Sequence, residues 1–226
     1  MTSDTHPPDM WLSFALAFVG GYGDAASVVL AKTFTGHVTG SLVLAAIAMA
    51  AHEWRTLLTH LAAVVFFLTG VLFGVLIGRA HAAWPSWQPL FTVVGIEVIL
   101  TVTAYLALAS RAVPGVEIFV VCMSLTLGLQ NGAFQCTGGI SVHTTYLTGM
   151  ITSLITTEAE LSHPMTGRNP KVNILYGIWL AFYLGAVIGA ALALQFKEAG
   201  ILGATFLLIV ILVRTRVAAS REHSTA

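Results

Sequence analysis

The sequence predicts an all-α integral membrane protein of about eight helical segments, six long and two short, in two similar halves. Three observations carry this expectation: scarce charge, apolar runs of spanning length, and a residue pattern that recurs. Hydrophobic residues make up 57% of the chain and charged ones only 9%, with a mean hydropathy of +0.86. A soluble domain carries about 25% charged residues. Charge this sparse cannot coat a water-soluble globule, so lipid must be the solvent for most of the surface. The formal net charge is zero, and nothing draws the chain toward nucleic acid.

The apolar segments run roughly over 10–30, 38–52, 56–79, 89–110, 116–135, 144–158, 172–196 and 199–214. A hydrocarbon core takes about 20 helical residues to cross. Six segments approach or exceed that length; 38–52 and 144–158 are short and polar at their starts, so they either cross or re-enter. The division expected is a polar N-terminal tail (1–9), a first membrane repeat (10–110), a second (115–214) and a cytoplasmic basic tail (215–226). The tail before Met10 holds two aspartates and no Lys or Arg. It lacks the positive region of a secretory signal, so the first segment reads as a retained span.

Trp11, Trp54, Trp84 and Trp87 fall at segment ends, where interfacial tryptophans belong, whereas Trp179 lies inside a segment and needs a packing partner. Orientation follows from the cations. With eight crossings, Arg55, Arg111, Arg168, Lys171, Arg214, Arg216 and Arg221 lie inside, against Lys32, Arg79 and Lys197 outside. With six, Arg79 joins Arg168, Lys171 and the three tail arginines inside. Both counts put both termini in the cytoplasm. Cys122 and Cys136 sit in or near one apolar segment and read as small packing residues.

The halves share three features in one order. Gly20-Gly21-Tyr22-Gly23-Asp24 is followed by Thr35-Gly36-His37-Val38-Thr39-Gly40. Gly128-Leu129-Gln130-Asn131-Gly132 is followed by Thr144-Thr145-Tyr146-Leu147-Thr148-Gly149. Each half then has a long helix with small residues four apart, Gly70, Gly74 and Gly78 in one and Ala181, Gly185 and Gly189 in the other. That spacing brings helix backbones close together, so these residues read as packing positions. Four crossings per half would make the repeats parallel. Three crossings plus a re-entrant helix would make them inverted, as in many secondary transporters.

The Gly-Tyr-Gly-Asp-Ala run with Phe34-Thr35-Gly36-His37-Val38-Thr39-Gly40-Ser41, and the later Gly-Leu-Gln-Asn-Gly-Ala with the second Thr-Gly motif, resemble the YoaK-like family of small bacterial membrane proteins of unknown function. The resemblance covers roughly residues 10–215, with Ser41 standing where the family pattern has Asn. It implies a multispanning protein, expected in the bacterial cytoplasmic (inner) membrane, and supplies no substrate.

Candidate functional residues follow from polarity in apolar surroundings. Asp24 reads either as a proton- or cation-coupling carboxylate at a helix break loosened by glycines, or as a cap at the membrane interface. Thr39 and Thr148 open short helices, whose free N–H groups and positive dipole end attract anions. Gly40 and Gly149 allow close approach there. Thr35, Thr144 and Thr145 add hydroxyls, and Gln130 and Asn131 add amide dipoles, so these residues form a candidate substrate site. The competing reading is ordinary hydroxyl capping. Glu97, amid Ile96 and Val98, is a second candidate for proton or cation coupling, or a packing pair with Thr101. His37 and His143 flank the Thr motifs. A haem site at His60 would need a second inward-facing histidine on a facing helix, and nothing in the sequence fixes that geometry. No cofactor or metal is expected.

Catalytic signatures such as Gly-x-Ser-x-Gly, a Walker loop or His-Glu-x-x-His are absent from the sequence, so no enzyme is expected. The leading expectation is a secondary transporter or permease for a small anion or small polar solute. The alternative is a non-catalytic membrane scaffold or assembly subunit. The partners expected are the lipid bilayer and a small-molecule or ion substrate, with a homo-oligomer left open.

Overall fold

The computed structural model describes residues 10–80, 87–111, 113–134, 136–137, 140–141, 152, 155–156 and 170–225. Seven helices stand among them: α1 (Met10–Ala31), α2 (Val38–Ala50), α3 (Trp54–Ala80), α4 (Trp87–Ala109), α5 (Gly115–Ala133), α6 (Pro170–Phe196) and α7 (Leu202–Thr225). A 3-10 turn, Lys197–Ile201, joins α6 to α7. Two-residue strands β1 (Cys136–Thr137) and β2 (Ile140–Ser141) pair antiparallel after α5. The expected short segment at 144–158 lies outside the described residues, apart from helical 152 and 155–156.

Five stretches are long and apolar enough to cross a membrane: Met10–Ala31, Trp54–Ala80, Leu90–Ala109, Gly115–Ala133 and Asn173–Val217. The last runs through both α6 and α7. Lys197, at φ 52, breaks it, so it folds as two helices rather than one. Lys32, His52 and Arg111 likewise adopt left-handed conformations just after α1, α2 and α4. Such a residue closes a helix by redirecting the chain. A cation there also faces the negative end of the helix dipole.

One boundary differs from expectation. The basic tail after Arg214 is helical to Thr225. Its polarity does not end the helix, because Arg216 to Glu222 contains neither glycine nor proline and the backbone ladder simply continues.

Contacts between helices fix their directions. Phe18 meets Gly185 and Tyr22 meets Gly189, so α1 and α6 run parallel. Phe67 meets Gly128 and Val71 meets Gly132, so α3 and α5 also run parallel. In contrast, Gln130 bonds to Leu16 while Met123 lies against Gly23, so α5 runs opposite to α1. α4 and α5 form an antiparallel hairpin, with Gly115 against Ala107. Arg214, midway along α7, lies over the Trp11 ring at the start of α1. Both ends of the described chain therefore lie at one end of the bundle.

The two parallel pairs touch backbone to backbone. A Cβ added at Gly21 would lie 2.1 Å from the Phe182 carbonyl oxygen, and one at Gly132 would lie 2.2 Å from that of Val71. Gly70 and Gly74 are held as tightly against α5, but Gly78 has nothing within 4 Å among the described residues, so the packing role its spacing suggested is not seen there. Away from these seams the side chains are apolar and exposed: Leu58, Val65, Leu72 and Phe73 on α3, and Leu180, Leu184 and Val187 on α6. This surface suits acyl chains. Trp179, also partly exposed, stacks on Tyr183 with ring centroids 6.1 Å apart.

Substituting Gly21 or Gly132 by Ala forces the paired backbones apart, and each change is expected to cost about 1–3 kcal/mol. Gly78→Ala meets no neighbour among the described residues and gains helix propensity. Thermal unfolding in detergent is expected to show lower transitions for the first two variants and an unchanged or higher one for the third.

Candidate functional site

The polar features converge where the chain leaves α1 and enters α2. α1 carries Asp24 two turns before its end because the helix continues through Gly20, Gly21 and Gly23 without breaking. After Lys32 turns the chain, residues 33–37 run back along α1. The Asp24 carboxylate collects them. Its Oδ1 accepts the backbone N–H of Thr35 at 2.8 Å and of Gly36 at 2.7 Å, and its Oδ2 contacts His37 Nδ1 at 2.5 Å. Asp24 is only 4% exposed. A carboxylate at such depth is tolerable only when hydrogen-bonded, and these three donors do that.

The surrounding hydroxyls extend the junction. Thr35 Oγ1 donates to Ser27 Oγ, which donates to the Gly23 carbonyl one turn back. Thr33 Oγ1 and His60 Nδ1, on α3, lie 2.7 Å apart. Ser41 donates to the Phe34 carbonyl. The His37 ring meets Phe34 and Phe182 edge-on, so the loop is wedged between α1, α3 and α6.

α2 therefore starts level with Asp24. Gly23, the preceding residue, faces Met123 and Leu127 in the middle of α5, which places this start at mid-depth in the bundle. From there 13 residues rise about 20 Å at 1.5 Å each, less than the roughly 30 Å of a hydrocarbon core. The helix ends beside the start of α3, at the end of the bundle where α1 finishes.

The expected site residues are thus partly brought together. Asp24 and Thr35 meet directly, and Thr35 is turned inward with both its donors committed. Thr39 is exposed in the first turn of α2, whose N-cap, His37, makes no side-chain cap bond. Gly40 leaves room for the Phe34 ring, 2.8 Å from where its Cβ would be; that is a packing role. Gln130 is buried on α5, its Nε2 donating to the Leu16 carbonyl at 2.9 Å. Asn131 is half-buried beside it. Glu97 lies elsewhere, on α4. Thr101 bonds the Glu97 backbone carbonyl, not its carboxylate, so the expected side-chain pair does not form. Thr144, Thr145, Thr148, Gly149 and His143 lie outside the described residues.

Sequence reasoning missed Ser27 and Thr33. For Ser27 the usable signal was a hydroxyl about one turn after Asp24 on the same helix; Thr33 meets His60 across the fold, at no spacing the sequence marks. Among the described residues no group of three or more His, Cys, Asp or Glu is placed to hold a metal ion.

Asp24→Ala would strand the Thr35 and Gly36 N–H groups, at about 1–3 kcal/mol for each buried donor. Asp24→Asn keeps an acceptor at Oδ1. Amide exchange at positions 35 and 36 is expected to rise strongly in the alanine variant and less in the asparagine variant; equal exchange in all three proteins would contradict the junction.

Comparison with known proteins finds a transmembrane relative. The chain is 33% identical over 129 residues to the UPF0700 transmembrane protein YoaK of Bacillus subtilis (strain 168), a match covering 56% of this chain and 56% of that protein. The aligned part thus spans little more than half the length of that relative. No solved structure matches. A transmembrane relative and several spanning apolar helices make this a multi-pass membrane protein. Residues 12–214 match the model of a family described as a protein of unknown function, DUF1275, and with nearly the whole chain inside that match, the protein belongs to this family.

Proposed function

We propose that the chain is a secondary transporter or permease for a small polar solute or small anion, built from two inverted repeats. The observation that carries the reading is the start of α2 at mid-depth beside a buried carboxylate. Backbone that is not helical is tolerated at membrane depth only where protein or a water-filled cavity surrounds it. Transporters use broken helices of this kind to place substrate and ion sites between repeats.

The helix contacts support the repeat. Gly21 on Phe182 corresponds to Gly132 on Val71, and Phe18 under Gly185 corresponds to Leu129 under Gly74. All four residue pairs differ by one constant offset along the chain. The α1–α6 seam is thereby the counterpart of the α5–α3 seam with the halves exchanged. Since α1 runs opposite to α5, the repeats are inverted. Six crossings follow, with both termini cytoplasmic, because Arg79, Lys171, Arg214, Arg216 and Arg221 then share the inner side. The membrane is the cytoplasmic one of a bacterium.

In this reading the substrate sits between the halves. Thr39 and the start of α2 face it from the first repeat, and Gln130, Asn131, Thr144, Thr145, Thr148 and Gly149 serve the second. Asp24 already supplies an anion near the start of α2, which favours a neutral polar solute over an anion on that side. The coupling proton is carried by the Asp24–His37 pair, whose histidine is the more exposed member.

Uptake into proteoliposomes under an imposed pH gradient, screened over small polar solutes and small anions, tests this. Gradient-driven uptake of at least one solute is expected, with Asp24→Asn reducing it by about tenfold or more, the effect of losing one charged hydrogen bond. Undiminished uptake in Asp24→Asn would remove the coupling role. A stoichiometric protein partner with no uptake of any solute would replace the transporter by a scaffold.

A further inference from the structure

A second polar group lies inside the bundle, apart from the α1–α2 junction. Both carboxyl oxygens of Glu97, Ser124 Oγ and Thr205 Oγ1 are buried and without a hydrogen-bond partner among the described residues. Glu97 and Ser124 are 0% exposed and Thr205 is 7%. They come from three different helices, α4, α5 and α7.

The packing brings them to one level. Val94 of α4 and Leu208 of α7 belong to one apolar cluster, and Ala104 and Ile201 belong to another. Glu97 and Thr205 lie on the same helical stripes as these residues, between the two clusters. Val120 of α5 shares the second cluster with Ala104. Ser124 is one turn further along α5, which runs opposite to α4, so it moves toward Glu97. Both Glu97 and Ser124 fall in the middle of their helices.

An ionised carboxylate left alone in such a place is strongly unfavourable, and intramembrane acids normally face a partner or an ion. The charged and titratable groups on the neighbouring helices are engaged with other partners or lie at the helix ends. Arg55 of α3 pairs with Glu117 of α5, and His60 meets Thr33. Arg79 lies at the far end of α3, and Lys197 and Glu198 lie at the α6–α7 turn. Arg214 and Arg216 cover Trp11 and Phe91 at the opposite end. Cys122 is packed in the apolar core and Tyr22 donates to the Gly200 carbonyl.

We propose that Glu97, Ser124 and Thr205 form an internal binding site for one monovalent cation, H⁺ or Na⁺. One carboxylate balances one positive charge, and oxygen-only donors suit a hard cation. A divalent ion would need more acid than the site offers. The site adds a cation-binding centre to the transporter reading without depending on it, since binding is measured without flux.

The test uses the purified full-length protein in detergent at neutral pH. Unfolding is followed in NaCl and in choline chloride, and the infrared spectrum is recorded in both. The Na⁺ arm is a stabilisation specific to Na⁺. The H⁺ arm is the carbonyl stretch of a protonated carboxylic acid that Na⁺ does not remove. Either signal is expected to vanish in Glu97→Gln and persist in Asp24→Asn. The Ser124→Ala/Thr205→Val double variant keeps the acid. It is expected to weaken Na⁺ binding at least about tenfold, or to shift the carbonyl band, and it serves should Glu97→Gln fail to fold. An ionised carboxylate with no Na⁺ dependence overturns the site. So does a signal that survives in folded Glu97→Gln, or one that the double variant leaves unchanged.

Discussion

The structure depends on what the Asp24 carboxylate holds. Its oxygens take the Thr35 and Gly36 N–H groups and the His37 ring. These bonds bend the chain back from the end of α1 and fix where α2 begins. A carboxylate buried in an apolar bundle needs such donors, and a backbone turned inward needs such an acceptor. Each cost is met by the other. The result is a helix start at mid-depth, with one side exposed and the other sealed against Phe34 and Phe182.

That arrangement needs rigid walls, and the glycine seams supply them. Lipid offers no hydrophobic force to press helices together, so close packing must. Along α1–α6 and α3–α5 the backbones approach so closely that no Cβ fits at Gly21, Gly132, Gly70 or Gly185. Parallel pairing of these helices also decides the layout. It sends α5 opposite to α1 and returns α7 beside the start of α1, leaving the polar groups of α4, α5 and α7 enclosed at the centre.

Much of this was legible in the sequence because lipid imposes a simple rule. The apolar runs marked α1 to α7 to within a few residues, apart from the end of α7, where polarity failed to stop a helix. The junction's residues were also visible, an acid among glycines followed by a Thr-Gly pair, but the helix break expected at those glycines comes later, at Lys32. What could not be read was the partner. Asp24 bonds mainly to backbone N–H groups, which no residue type announces. Gly78 repeats the spacing of Gly70 and Gly74 yet touches nothing among the described residues, since spacing says which face a residue occupies and not whether a neighbour reaches it. Ser124 and Thr205 look like ordinary helix hydroxyls, and only their burial without partners sets them beside Glu97 in the proposed site.

The central claim is that α2 enters the membrane region and leaves on the side from which it came. Single cysteines at Lys32, His52 and Arg79, each in a Cys122→Ser/Cys136→Ser background, test it directly in liposomes of uniform orientation. The account predicts that a membrane-impermeant thiol reagent labels positions 32 and 52 from the same face and position 79 from the opposite one. Labelling of 32 and 52 from opposite faces would mean that α2 crosses, and would contradict it.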